Sequence, residues 1–106
     1  MEQYFNGHTA TANWYWASAG KTLTTATIGI AQQEGLLSIN DKVSDYLGIG
    51  WTSAPTNKEN LITNKHLLSM TSGLDDTFGD GNDPIDLQYK ADAGTRWAYH
   101  NVFEKL

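Results

Sequence analysis

The sequence contains no cysteine and only two prolines in 106 residues. Without cysteine there are no disulfides, no thiolate metal ligands and no cysteine nucleophile, although this absence does not fix the cellular compartment. No apolar run reaches the roughly 18 residues that a membrane-spanning helix needs, so we expect no membrane span. The first residues, Met1 to Tyr4, have neither the basic nor the apolar region of a signal peptide, so we expect none in this sequence.

Positive charge is also scarce. Seven lysines and arginines stand against 12 aspartates and glutamates, which gives a net charge of −5. Because a phosphate backbone or an anionic membrane would repel such a chain, we expect neither as a partner. Hydrophobic residues make up 40% of the sequence, a foldable composition, and the length corresponds to one domain at most.

Metal-binding patterns are missing as well. His8, His66 and His100 lie far apart in the sequence and lack the H-x-x-x-H spacing of a metal site. The acidic stretch from Asp75 to Asp86 fails the calcium-loop pattern, because Pro84 stands where that loop needs a ligand. We therefore expect no metal and no other cofactor.

The clearest helical pattern covers residues 18–34 and ends at Gly35, a favourable residue just after a helix. Its other faces carry threonine and glycine, and no charge occurs between Lys21 and Glu34. A helix of this composition would be poorly stable in water, so we expect a buried central helix with threonine hydroxyls bonded back to its carbonyls. Apolar residues recur along it with helical spacing, at Leu23, Ala26, Ile30 and Ala31.

Two shorter helices are predicted further along the chain. Asp41 is the expected N-cap of the first, which ends at Gly48, and Val43, Tyr46 and Leu47 form its apolar face. Thr63 is the expected N-cap of the second, which ends at Gly73, with Leu67, Leu68 and Met70 as its apolar positions. Residues 48–60 and 75–95 are predicted to be loops, and residues 1–17 an extended lead-in with a turn at Asn6-Gly7.

The only S-x-x-K motif in the chain spans Ser18 to Lys21, at the start of the first predicted helix. Positions i and i+3 share one helix face, so the serine hydroxyl and the lysine ammonium can come within hydrogen-bonding reach. A serine becomes a good nucleophile when a neighbouring base takes its proton, and a lysine can be that base when burial lowers its pKa. Backbone N–H groups at the helix start favour an oxyanion. The alternative for the motif alone is a capping serine followed by a solvated lysine.

A second motif, Tyr99-x-Asn101, lies near the C-terminal end. In an extended segment both side chains point the same way. A tyrosine beside a lysine can share the role of base, and an asparagine offers a donor and an acceptor to a substrate amide. The motif is common, since Tyr4-x-Asn6 also matches it, and a packing aromatic with a turn asparagine is the alternative.

Taken in order along the chain, these motifs are more specific than any one of them alone. They resemble the serine β-lactamase and penicillin-binding-protein-like family, in its branch of class C β-lactamases, D-alanyl-D-alanine peptidases and esterases. The resemblance covers roughly residues 14–103. It is carried by four segments, namely Ser18-x-x-Lys21, the stretch from Asn40 to Leu47, the run from His66 to Leu74, and Gly94-x-x-Trp97-x-Tyr99-x-Asn101.

The resemblance implies a role for each residue. Ser18 is the nucleophile that becomes acylated, Lys21 takes its proton, and Tyr99 shuttles protons and activates the deacylating water. Asn101 binds the substrate, and the backbone N–H of Ser18 is one oxyanion donor. The implied substrates are β-lactams, D-amino-acid peptides or small esters, and the implied location of the intact protein is periplasmic or secreted.

The sequence also departs from the family pattern. No Lys-Thr-Gly-like third motif follows Asn101, Ala93 replaces the usual proline, and His100 replaces the usual serine. We therefore expect a mainly α chain, the helical portion of the α/β β-lactamase/DD-peptidase fold with the sheet largely missing. Residues 1–106 form a single partial domain, with a lead-in over 1–17 and a helical subdomain over 18–106.

This interpretation has consequences for function. We expect the chain to be a fragment of a serine hydrolase that is inactive alone, with self-association as a way to cover its exposed core. The alternative is a non-catalytic helical interaction module that keeps the scaffold without the chemistry.

Overall fold

The computed structural model describes residues 1–77 and 83–99. Within these ranges the chain is mainly helical, as predicted, and its sheet is reduced to two short antiparallel strands. The helices are α1 (Lys21–Gln33), α2 (Ser44–Leu47), α3 (Thr56–Glu59) and α4 (Asn64–Leu68). The strands are β1 (Leu74–Asp75) and β2 (Gln88–Tyr89), and 3-10 turns occupy Ala17–Gly20 and Pro84–Asp86. No helix among the described residues is long and apolar enough to cross a bilayer.

The first predicted helix forms where the sequence places it. The 3-10 turn Ala17–Gly20 leads directly into α1, and Gly35 follows the helix with a φ of +75°. Three threonine hydroxyls donate to main-chain carbonyls one turn earlier, as predicted: Thr22 to Ala19, Thr25 to Lys21 and Thr27 to Leu23. These bonds satisfy the hydroxyls without any tertiary partner.

The predicted burial of this helix is wrong. Ile28 is the one buried residue of α1, whereas the side chains of Leu23 and Ile30 are 61% and 57% exposed. The physical reason is that the hydrophobic core forms elsewhere, among residues 43–93, and α1 supplies no member of it. The two-stranded sheet of the described residues is too small to cover a helix of 13 residues.

The core is built by short elements that lie close together in the sequence. It consists of Val43, Trp51, Ile62, Leu67, Leu74 and Leu87, with Ala93 packed against it. Glu59 is buried beside it at 1% exposure and accepts three hydrogen bonds, from the backbone N–H groups of Gly50 and Thr52 and from the Thr52 hydroxyl. These bonds compensate for the burial of its carboxylate.

The second predicted helix is shorter than expected. It begins at Ser44, so Asp41 does not cap it; instead the Asp41 carboxylate accepts from the Ser38 N–H and the Tyr46 hydroxyl. These hydrogen bonds hold the pKa of Asp41 below its usual range. Gly48 ends the helix, as predicted, with a φ of +80°. Tyr46 and Leu47 are 54% and 44% exposed, so the predicted apolar face holds only for Val43.

The third predicted helix, α4, has the predicted cap and a different end. The Thr63 hydroxyl accepts from the His66 N–H, and His66 Nδ1 accepts from the Thr63 N–H, so the two residues form a capping box. The helix ends at Leu68, five residues before Gly73, because the chain turns into the left-handed region at Met70, with a φ of +57°.

The two predicted loops contain structure that the sequence pattern does not reveal. Helix α3 lies in the range 48–60, directly after Pro55. Strand β1 leads into the range 75–95 and pairs with β2 inside it, with Leu74 opposite Tyr89 and Asp75 opposite Gln88. Residues 1–16 contain a turn, where the His8 N–H donates to the Phe5 carbonyl, and no helix or strand. The division of the chain into a lead-in and a helical subdomain stays a prediction.

Candidate active site

Ser18 lies at the entrance of the longest helical stretch in the described part of the chain. It is the second residue of the 3-10 turn Ala17–Gly20, which continues into α1. The residue before it, Ala17, has a φ of +50°, a left-handed conformation that non-glycine residues adopt at a cost of roughly 1–3 kcal/mol. This sharp turn places Ser18 at the first turn of the helix and leaves its side chain exposed.

Three of the four residues singled out from the sequence meet at this position. The Ser18 Oγ and the Tyr99 hydroxyl are in hydrogen-bond contact, although 81 positions separate them in the chain. Lys21 Nζ donates to Ser18 Oγ at 3.5 Å, the i to i+3 contact expected on a helix face. The same ammonium group lies 5.7 Å from the centroid of the Tyr99 ring, within the range of a cation–π interaction.

The cluster is open to solvent on the described side. Ser18 is exposed, Tyr99 is 56% exposed, and Lys21 is half-buried. Asn101, the fourth member of the predicted site, and His100 beside it lie outside the described residues.

A small pocket adjoins Tyr99. Its volume is about 130 Å³, and it is lined by Leu74, Asp75, Asp76, Thr77, Arg96, Ala98 and Tyr99. Hydrogen bonds from the side chain and backbone of Thr77 hold the pKa of the Asp75 carboxyl below its usual range, so this carboxyl is ionised at neutral pH. The sequence did not indicate this pocket. The signal there is a group of acidic residues in a predicted loop, and acidic loops are commonly solvated.

The segment that carries Tyr99 is held by main-chain hydrogen bonds to the residues that follow α4. The Ala98 N–H, one residue before Tyr99, donates to the Met70 carbonyl at 3.1 Å. The Gly94 N–H donates to the Thr71 carbonyl at 2.8 Å. The residues after α4 therefore hold the segment of Tyr99 through hydrogen bonds. Ser18 lies in the 3-10 turn before α1, and Lys21 is the first residue of α1.

The arrangement contains the groups that an acyl transfer needs. A hydroxyl nucleophile lies in contact with an amine and a phenol, either of which can relay its proton. Such a set fits attack on a carbonyl carbon, with the proton moved along the amine and the phenol to the leaving group.

Comparison with known families agrees with this chemistry. The Beta-lactamase family profile matches residues 2–102, nearly the whole chain, while no curated protein matches it. The chain therefore belongs to the Beta-lactamase family.

Proposed function

We propose that this chain, as a member of the Beta-lactamase family, carries the nucleophile half of an acyl-enzyme site of a serine hydrolase. The observation that supports this most strongly is the contact of Ser18 Oγ with both Lys21 Nζ and the Tyr99 hydroxyl. The proposed branch is that of the class C β-lactamases, D-alanyl-D-alanine peptidases and esterases. It rests on the motifs around Ser18, His66 and Tyr99.

In the proposed reaction, Ser18 Oγ attacks the substrate carbonyl carbon, and its proton passes to the amine form of Lys21. The carbonyl π bond becomes an oxyanion, to which the Ser18 backbone N–H donates. When the oxyanion collapses, the bond to the leaving group breaks, and the leaving group takes the proton through Tyr99. Water activated by Tyr99 then hydrolyses the Ser18 ester. Asn101 positions the amide or carbonyl of the substrate.

The substrate classes are those that the family resemblance implies. β-Lactams, D-amino-acid peptides and small esters each present a carbonyl carbon to a serine, and the enzymes that act on them differ in the walls of the cleft that select among them. We propose this group of small-molecule or peptide substrates, and a periplasmic or secreted location for the intact protein.

We further propose that the 106 residues do not turn over substrate by themselves. Ser18 and Tyr99 are exposed, so water competes for the developing charge. The Ser18 backbone N–H is the one oxyanion donor that this proposal assigns, and an acyl-transfer site with one donor fewer is typically about 10²–10³-fold slower. Multiple-turnover hydrolysis of nitrocefin or p-nitrophenyl acetate by this chain, abolished by Ser18→Ala, would contradict this part of the proposal.

Covalent labelling tests the nucleophile separately from turnover. We expect a fluorophosphonate probe and a fluorescent penicillin to modify Ser18 in the full chain, located by mass spectrometry of the digested protein. Ser18→Ala should abolish the labelling, and Lys21→Ala should slow it about 100-fold, the lower end of the contribution of a general base. The matched control is Ser69→Ala, since Ser69 is also an exposed serine, its hydroxyl donates to a main-chain carbonyl, and its loss should not change the labelling.

A non-catalytic interaction module is the second candidate function. The observation in its favour is the exposed aromatic run Trp14, Tyr15 and Trp16, whose side chains are 74%, 85% and 61% exposed. Such a surface can bind a partner or a second copy of the chain. In that case neither probe modifies Ser18, and analytical ultracentrifugation shows whether the chain associates with itself.

A further inference from the structure

We propose that the turn Met70–Gly73 is a positioning element for Tyr99 and that Gly73 is its critical residue. This inference uses the proposed function for its chemical consequence, because Tyr99 matters there as the proton relay of Ser18. Its structural content, a fixed distance between the two segments that form the site, is independent of that function.

The turn and the segment that carries Tyr99 are joined by main-chain hydrogen bonds along their length. In each bond a carbonyl of the turn accepts from an N–H of residues 90–98. The pairs are Met70 with Ala98 at 3.1 Å, Thr71 with Gly94 at 2.8 Å, and Gly73 with both Lys90 at 2.9 Å and Ala91 at 3.1 Å. The segment is therefore fixed at its start, middle and end, and its last bond lies one residue before Tyr99.

Two left-handed residues give the turn its shape. Met70 has a φ of +57° and Gly73 a φ of +79°. The three carbonyls that accept these bonds belong to these two residues and to Thr71 between them. Left-handed backbone at a methionine is uncommon and costs about 1–3 kcal/mol, so the surrounding contacts must stabilise it. The buried residues Ser72 and Leu74 anchor the turn to the core.

Gly73 leaves no space for a side chain. A Cβ atom there would lie 2.0 Å from the Ala91 carbonyl oxygen and 2.8 Å from its carbonyl carbon, both backbone atoms. Because real Cβ atoms essentially never approach closer than 3.0 Å, an alanine would push the segment away by about 1 Å. An error of 1 Å in a reacting group can cost on the order of 10²-fold in rate.

The segment has two further contacts besides those with the turn. Lys58 Nζ forms an ion pair with the Asp92 carboxylate at 2.8 Å, and Gly94 lies so close to His66 that a Cβ there would be 3.3 Å from its Nε2. A displacement at Ala91 therefore acts on a segment that is also held at Asp92 and Gly94, and we expect the shift to be passed along the chain toward Ala98 and Tyr99.

The test compares two glycine variants with the same backbone requirement. Gly50 has a φ of +81° and no heavy atom within 4 Å of the position that a Cβ would occupy, so Gly50→Ala adds the conformational strain without the collision. We expect Gly73→Ala to slow fluorophosphonate labelling of Ser18 at least tenfold and Gly50→Ala to slow it less than twofold, as order-of-magnitude effects.

A second background shows whether Gly73 acts through Tyr99. In Tyr99→Phe the relay hydroxyl is already absent. We therefore expect the double variant Tyr99→Phe with Gly73→Ala to be labelled less than about twofold more slowly than Tyr99→Phe alone. An equal loss in both backgrounds would show a general structural role and overturn the proposal. So would a Gly73→Ala variant that labels as fast as Gly50→Ala.

An NMR readout separates this inference from the proposed function. We expect a nuclear Overhauser contact between the Tyr99 ring and the Lys21 side chain in the unmodified chain and in Gly50→Ala, and its loss in Gly73→Ala. If Ser18 is never labelled and this pattern of contacts is found, the proposed function fails and the positioning role stands. If Gly73→Ala keeps the contact, the positioning role fails whatever the labelling shows.

A further variant covers the case in which Gly73→Ala does not fold. Ala98→Pro removes the N–H that donates to the Met70 carbonyl and leaves the buried core side chains unchanged. It should weaken the Tyr99–Lys21 contact and slow labelling in the same way, with no further effect in the Tyr99→Phe background. Retention of both the contact and the labelling rate would overturn the proposal.

Discussion

Two regions of this molecule use similar apolar residues in opposite ways. In residues 1–36, two of the three leucine and isoleucine side chains of α1 lie mostly in solvent, at 61% for Leu23 and 57% for Ile30, and Ile28 is buried. In residues 38–99, Leu67 and Leu87 are fully buried and Leu74 is 1% exposed. The longest helix of the described residues thus has one buried residue, Ile28, whereas the core forms among short elements of residues 43–93.

The difference shows which interactions each region depends on. A helix of 13 residues closes several backbone hydrogen bonds within itself, although threonine and glycine lower its intrinsic stability in water. A helix of four or five residues has almost none, so α2, α3 and α4 depend on the buried residues in or beside them. These are Val43 directly before α2, Glu59 in α3 and Leu67 in α4. The candidate site lies where the two regions meet, with Ser18 and Lys21 on the first and Tyr99 on the second.

The largest effect expected from this comparison is on stability. Leu67→Ala should lower the free energy of unfolding by about 3 kcal/mol, because it leaves a cavity in the core. Leu23→Ala, the same change on α1, should lower it by less than about 0.5 kcal/mol. Urea unfolding followed by circular dichroism measures both. Equal losses would contradict the exposed position of Leu23.

The next effect concerns the capping box of α4. Thr63→Ala removes the oxygen that accepts from the His66 N–H and should cost about 1 kcal/mol. Thr56→Ala is the matched control, since Thr56 is an exposed first-turn threonine of α3, and it should cost less than about 0.5 kcal/mol. The same urea titration measures both. If Thr56→Ala lowered the free energy of unfolding as much as Thr63→Ala does, the loss at Thr63 would not come from the cap.

The smallest expected effect is on the pH dependence of the unfolding free energy. It arises from His66, in the region of residues 38–99. Burial, and then the charge of Lys65, lower the pKa of His66 below its ordinary value of 6.5. The folded state therefore binds this proton less readily than the unfolded state. The unfolding free energy should be highest above pH 6.5, fall as the pH drops from there toward the folded-state pKa, and then level off.

The control for this prediction is His66→Gln. Glutamine is an ordinary third residue of a capping box and can still accept from the Thr63 N–H, but it does not titrate. The difference between the pH–stability curves of the two proteins isolates His66 from His8 and His100. Parallel curves between pH 5 and pH 8 would contradict the prediction.

The sequence predicted those parts of the fold that depend on neighbouring residues. The start and end of the first helix, the Thr63 cap and the glycine after α2 follow from capping and turn chemistry that acts within a few positions. It failed at Asp41, whose carboxylate bonds to the Tyr46 hydroxyl instead of capping α2, and at α3, β1 and β2. These elements are too short to show a periodic pattern.

The sequence by itself determined the pairing of Ser18 with Lys21, because a helix places residues i and i+3 on one face whatever surrounds it. Only the tertiary structure decided two other matters. It placed Tyr99 against Ser18 through the bonds of the Met70–Gly73 turn, and it left α1 exposed although its composition suggested burial. The reason is that burial and long-range contact depend on where other parts of the chain pack, which local periodicity does not contain.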